Sequence, residues 1–147
     1  MAGIASYGAY IPFNRLARAE IARAWGMAPL PGEKAVAGAD EDSLTMAVAA
    51  AMDCTKGMDV RNIDSIYFAS TTPPYKEKQT ASTIAQVFNL NNEVFTVDFS
   101  GSLRSGTNAL RAAMDAVNSG SAKNVLVCVS DVRLGYPNGP KEMELGD

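Results

Sequence analysis

The chain contains no histidine. That removes imidazole acid–base chemistry, Ser-His-Asp and Cys-His nucleophile pairs and most zinc sites from these residues. Cysteine is nearly as scarce, with Cys54 and Cys128 alone. Two are too few for a disulfide framework or a four-thiolate zinc site. Both sit among apolar neighbours, so the expectation is a pair of buried, reduced thiols. No run of Lys or Arg occurs and the net charge is −3, so the basic face that nucleic-acid binding needs is missing. No apolar stretch approaches the roughly 20 residues of a membrane span, and the first positive side chain is Arg15. The expectation is a soluble cytoplasmic protein that engages neither membrane nor nucleic acid.

What is present is ordinary for a globular domain: 147 residues, 47% hydrophobic and 20% charged. Ile4 to Ile11 (IASYGAYI), closed by Pro12, predicts a strand. Leu16 to Trp25 predicts a helix with Ile21, Ala22 and Trp25 on one face beside the stem of Arg18. Gly26 to Asp40, with Pro29, Pro31, Gly32 and Gly38, predicts a loop. Asp40-Glu41-Asp42-Ser43 reads as a helix N-terminus, where carboxylates and hydroxyls satisfy orphan N–H groups. With no fourth ligand in view, it is a cap rather than a metal site. The following helix sets Ala47, Ala50, Ala51 and Cys54 in one stripe.

Ile63 to Ser70 predicts a second strand, stopped by Thr71-Thr72-Pro73-Pro74. A helix from about Thr80 carries Ala81, Ile84, Ala85 and Phe88 on one face. Val94 to Phe99 predicts a third strand and Gly101 to Gly106 a tight loop. The next helix is expected to bury Leu110, Ala113, Met114 and Val117 and to end at Ser119-Gly120. Val125 to Val129 is an all-apolar strand of the kind covered on both faces. This alternation predicts an α/β layer with a mostly parallel sheet. Arg133 to Asp147 is polar and ends without another element, and a four-stranded layer would leave an uncovered edge. The chain is therefore expected to pair with another or to be part of a longer one.

Chemistry has three candidate places. Asp98 to Thr107 runs from a strand through a sharp turn into a helix, a geometry that cradles phosphate or presents a nucleophile. Gly101 and Gly106 have P-loop spacing, but Thr107-Asn108 stand where Lys-Ser/Thr belongs. A nucleotide-binding α/β module is therefore a remote alternative. Ser70-Thr71-Thr72 forms a second place. Pro73 to Lys78 is the third, either a mobile lip over a pocket or a solvated loop. Arg15, Arg18 and Arg23 are either a helix's polar face or contacts to a ligand's phosphate.

The pattern Asp-x-x-x-x-Leu-x-x-Gly-Thr-x-Ala-Leu, from Asp98 to Leu110, resembles the active-site segment of the thiolase superfamily, closest to hydroxymethylglutaryl-CoA synthases of archaeal type and their bacterial relatives. The likeness extends through Gly3 to Pro12, Ala39 to Ala47, Ala69 to Pro74, Val129 to Arg133 and Glu144-Leu145-Gly146-Asp147. It implies the first half of a layered αβαβα fold, here residues 1–147 ending before that half's last strand. It also implies an acyltransferase in which an elbow cysteine takes an acyl group from coenzyme A, aided by a His and an Asn of the second half. CoA thioester is the implied substrate, with no tightly bound cofactor and no metal, and a homodimer or a heteromer with a thiolase-like chain is the implied assembly.

Two departures stand out. Where the family reads Ala-Cys-x-x-Gly-Thr, this chain reads Ser102-Leu103-Arg104-Ser105-Gly106-Thr107. Leu103 falls at the nucleophile's position and has no lone pair to attack a thioester. Thr71 falls near the family's acid–base Glu, and a hydroxyl is no carboxylate base. No catalytic residue is assigned. Ser102, Arg104, Gly106 and Thr107 remain as the backbone of the elbow. The alternatives are one part of an acyl-CoA assembly or a non-catalytic subunit that keeps the scaffold.

Overall fold

The computed structural model describes residues 2–139 and 141–146. The elements follow in the order β1 (Asn14–Ala17), α1 (Arg18–Trp25), β2 (Glu33–Val36), α2 (Ser43–Cys54), a 3-10 turn (Val60–Asn62), β3 (Ser65–Ala69), α3 (Thr80–Val87), β4 (Phe95–Phe99), α4 (Ser105–Ser119) and β5 (Val125–Val129). Strands β4, β3 and β5 lie side by side in that order and all run parallel. The short β1 and β2 form a separate antiparallel pair.

The parallel sheet is the middle of three layers, and the alternation along β3 shows why. Ile66 and Phe68 point to one face, where they pack with Leu126, Cys128, Ile84 and the small side chains of α2 and α3. Tyr67 and Ala69 point to the other, beneath Ala109 and Ala113 of α4. A strand buried on both faces reads as an unbroken apolar run, and all five residues of β3 are buried.

The N-termini of α2 and α3 are fixed by carboxylates. Asp42 caps α2 by accepting from the Thr45 N–H at 2.8 Å, while the Thr45 hydroxyl accepts from the Asp42 N–H, completing a capping box. Glu41 accepts from the Gly38 N–H at 2.6 Å and from the Tyr10 hydroxyl. The acidic cluster is thus spent on local backbone. The cap of α3 comes from a different element: Asp98 of β4 accepts from the N–H groups of Thr80 and Ala81 at 2.6 and 2.8 Å.

Four sequence expectations are corrected. Residues 4–11 form no strand. Their alternation is genuine, but no described strand lies beside them, so the segment runs extended along the end of α2 instead. The Ser6 hydroxyl donates to the Cys54 carbonyl at 2.6 Å, and the Ala9 N–H donates to Asp53. Residues 26–40 are not all loop, because 33–36 pair with 14–17. The helix expected from Leu16 begins at Arg18, since Asn14 to Ala17 are taken up by that pairing. Finally, α4 buries Ser105, Ala109 and Ala113, while Leu110 and Met114 remain 43% and 45% exposed. Small side chains let the helix axis approach the sheet, which leaves the larger ones facing outward. The tail has no regular element over its described residues, and Asp147 lies outside them.

Gly8 permits the close passage of the N-terminal segment over α2. A Cβ there would sit on the backbone nitrogen of Cys54 and the carbonyl of Ala50, atoms that cannot move without unwinding the helix end. Gly8→Ala is expected to lower stability by about 1–3 kcal/mol, read from the urea midpoint. Gly3→Ala has open space around it and is expected to leave the midpoint in place.

Candidate functional site

The C-terminal ends of β3 and β5 and the turn after β4 meet at one end of the parallel sheet, where open α/β sheets place their sites. Asp131, two residues past β5, ties two of these together. Its Oδ1 accepts from the Thr71 N–H at 2.6 Å, the Ser70 hydroxyl at 3.0 Å and the Thr71 hydroxyl at 3.0 Å. The Thr72 N–H and hydroxyl lie at 3.3 and 3.4 Å from the same oxygen. In return the Thr72 hydroxyl accepts from the Val132 N–H at 2.8 Å. This clamp locks the chain's exit from β3 to its exit from β5.

The turn after β4 is built by local bonds. Gly101 sits at φ +81°, a left-handed conformation open mainly to glycine. The Ser102 carbonyl accepts from the N–H and the hydroxyl of Ser105, and the Ser102 hydroxyl accepts from the Arg104 N–H. Helix α4 therefore starts at Ser105 with no side-chain cap. Gly106 lies against Val129, whose methyl would be 2.9 Å from an added Cβ. Both glycines of the P-loop-like spacing thus have a backbone reason to be there. Leu103 projects from this turn and is 74% exposed.

An open cleft of about 900 Å³ runs from this end along β5, with Thr71, Leu103, Thr107 and Asp131 among its lining. The sequence-derived residues Thr71, Ser102, Leu103, Gly106 and Thr107 come together there. Asp131 is the residue that had no role assigned from sequence. Its signals were position, an acid just beyond an all-apolar strand, and its place within the Val129 to Arg133 stretch of the likeness.

Cys54 and Cys128 also border the cleft, whereas Arg15, Arg18, Arg23 and the 73–78 loop lie outside its lining. Cys128 belongs to the core cluster with Ile66 and Phe68, on the sheet face opposite α4. Burial pushes its thiol up to about 12, so it is inert near neutral pH. Cys54 is only half-buried, less enclosed than expected. Arg18 donates to the carbonyls of Pro31, Glu33 and Met143, Arg15 to those of Pro12 and Asn14, and Arg23 pairs with Glu20. In the 73–78 loop Lys78 lies 5.1 Å above the Tyr75 ring. Among the described residues no cluster of three or more His, Cys, Asp or Glu is placed to hold a metal, and no helix is long and apolar enough to cross a membrane.

The hydroxymethylglutaryl-CoA synthase of Pyrococcus horikoshii is 37% identical over 147 residues, covering 98% of this chain and 42% of the relative. That of Methanocella arvoryzae is 35% identical, covering 95% and 43%. The chain is a thiolase-superfamily relative of the hydroxymethylglutaryl-CoA synthases. It spans less than half the length of these relatives. No family model matches it. Among solved structures, MvaS in complex with 3-hydroxy-3-methylglutaryl coenzyme A superposes with a TM-score of 0.84 at 26% identity, covering 96% of this chain and 36% of that one. An HMG-CoA synthase complexed with CoA gives 0.87 at 22% identity, covering 96% and 38%. The thiolase-like α/β fold with its parallel sheet is therefore established for this synthase-related chain.

Proposed function

We propose that this synthase-related chain forms the part of an acyl-CoA-handling condensing unit that shapes the thioester site without supplying its nucleophile. The observation that carries this reading is the exposed Leu103 on the turn into α4, beside the cleft. The relatives' names and the CoA ligands of the two superposed structures support a CoA thioester as the molecule handled. Leu103 stands where the likeness places a cysteine, and Thr71 near a carboxylate. The Thr71 hydroxyl donates to Asp131 and so serves the clamp. Condensation then needs a nucleophile and a base from outside these residues, in a homodimer or in a heteromer with a thiolase-like chain. Light scattering of the purified chain, alone and with such a partner, measures that assembly.

Restoring a thiol tests the site. Near an uncapped helix N-terminus a cysteine's pKa falls. In Leu103→Cys the introduced thiolate attacks the thioester carbonyl of acetyl-CoA, the C–S bond to CoA breaks, and CoA leaves as its thiol after taking a proton. Intact mass is expected to show close to one acetyl group per chain for the variant and none for the wild type, with peptide mapping placing it at position 103. A wild-type adduct overturns the loss of the nucleophile. An unmodified variant favours the second reading, a non-catalytic scaffold subunit, which the tied-up Thr71 hydroxyl also supports.

A further inference from the structure

Asn138 is the one asparagine of the chain that a glycine follows, and it stands exposed beyond β5, outside the lining of the cleft. The backbone around it is pinned. A Cβ on Gly135 would fall 2.4 Å from the Cα of Glu142, so the two backbones touch there. The Glu142 N–H donates to the Gly139 carbonyl at 3.1 Å, and the Glu142 carbonyl accepts from Lys34 Nζ at 2.9 Å. The Glu142 carboxylate accepts from the Asn138 N–H at 2.6 Å.

Residues 136–139 make a tight turn. The Gly139 N–H donates to the Tyr136 carbonyl at 2.8 Å, and Asn138 sits at φ +59°. A proline first and a left-handed asparagine second are what such a turn asks for. Asn138 is thus held through its backbone, and among the described residues no hydrogen bond engages its side-chain amide. Gly139 carries no side chain to obstruct an approach to its own nitrogen.

We propose that Asn138-Gly139 is a self-modifying site, at which the side-chain amide is converted to a carboxylate within the folded chain. The Gly139 nitrogen bonds to Cγ of Asn138, the amide's Cγ–N bond breaks, and ammonia leaves with the proton that the Gly139 nitrogen gives up. Water then opens the cyclic imide at either carbonyl, which leaves aspartate or isoaspartate at position 138. The turn sets the pace, because the Gly139 N–H must first leave the Tyr136 carbonyl. The product changes the loop. A new negative charge stands beside the Glu142 carboxylate and is repelled by it. The isoaspartyl form also adds a methylene to the backbone, which the Tyr136 to Gly139 hydrogen bond does not span.

The test holds the wild-type chain, folded, in warm and mildly alkaline buffer and follows it by peptide mapping. Trypsin cuts after Arg133 and Lys141 and isolates residues 134–141, where Asn138 is the single amide side chain. That peptide is expected to gain the mass of amide-to-acid conversion and to separate into aspartyl and isoaspartyl isomers. Its rate is expected to exceed that of every other asparagine in the chain by at least about tenfold, and to fall several-fold below that of a free peptide of the same sequence. Pro137→Gly relaxes the turn and is expected to bring the folded chain up to the free-peptide rate. Gly139→Ala is expected to slow conversion at least about tenfold. A folded chain that stays unmodified while the free peptide converts overturns the proposal. So does a purely aspartyl product, which means direct hydrolysis with no imide. A wild-type rate equal to that of the free peptide overturns control by the turn.

Discussion

Asp131→Ala is expected to destabilise the fold by about 3 kcal/mol and to loosen the mouth of the cleft. One carboxylate oxygen accepts from Ser70 and Thr71, with Thr72 in reach, on segments some 60 residues away in sequence. Hydrogen bonds to a charged acceptor contribute about 1.5–3 kcal/mol each, and a donor stranded in a part-buried site adds a penalty. Truncation leaves the Thr71 N–H and two hydroxyls without their acceptor together. The loss is capped at about 3 kcal/mol because the site opens on the cleft and water replaces part of what is removed. Asp131→Asn keeps an oxygen in the same place and is expected to recover more than half of it. Urea midpoints of the three proteins measure the series. Amide exchange at Thr71 and Thr72 separates a local clamp from a general packing defect, because only a clamp releases those two amides ahead of the core. An Asp131→Ala midpoint equal to that of the wild type would show that the carboxylate holds nothing.

The legible parts of the fold are those where the apolar period alone decides the element. β3, β4 and β5 are short apolar runs, α2 and α3 present small apolar stripes, and Gly120 in a left-handed conformation stops α4 where Ser119-Gly120 predicted. The failures share one cause, which is that partners distant in sequence decide the outcome. Residues 4–11 alternate like a strand but have no neighbour to pair with. Asn14 to Ala17 and Glu33 to Val36 are four residues each and half polar, too short to read as strands, yet they pair with each other, helped by the Arg18 guanidinium on the Pro31 and Glu33 carbonyls. In α4 a hydrophobicity pattern selects Leu110 and Met114, whereas close packing selects Ser105, Ala109 and Ala113. Leu110, Met114 and Val117 are then left along the cleft.

The site was legible as a segment and not as a mechanism. The Asp98 to Leu110 pattern located the turn, and the structure brings Thr71 to the same cleft. The two acids that organise the region act through space. Asp98 caps a helix that begins 18 residues earlier, and Asp131 binds the exit of β3. Both carboxylates are engaged with backbone N–H groups, so the conspicuous acids of this region serve architecture. Leu103, by contrast, is left exposed on the turn before α4.

Cys128 makes stability fall in alkali, and the sign follows from its burial. Its side chain is 6% exposed within the main core, and removal from water holds its pKa up to about 12. An unfolded thiol titrates near 8.5. Below about pH 8.5 both states keep the proton and the group contributes no pH dependence. Between about 8.5 and 12 the unfolded chain releases it while the folded chain keeps it, so each pH unit favours unfolding by about 1.4 kcal/mol. Moving from about pH 8.5, where the unfolded thiol is half ionised, to 10.5 is therefore expected to remove about 2 kcal/mol through this thiol alone. Other groups titrate in the same window, so the measurement is the difference in slope between the wild type and Cys128→Ala. The variant starts less stable, because it leaves a small cavity beside Phe68 and Ile66, but it is expected to lose stability less steeply as pH rises. Alkylation by iodoacetamide gives a second readout, since at about pH 8.5 the folded Cys128 holds roughly three orders of magnitude less thiolate than the unfolded chain. Parallel slopes for wild type and Cys128→Ala, or rapid labelling of Cys128 in the folded chain, would mean that water reaches the sheet face beneath α2.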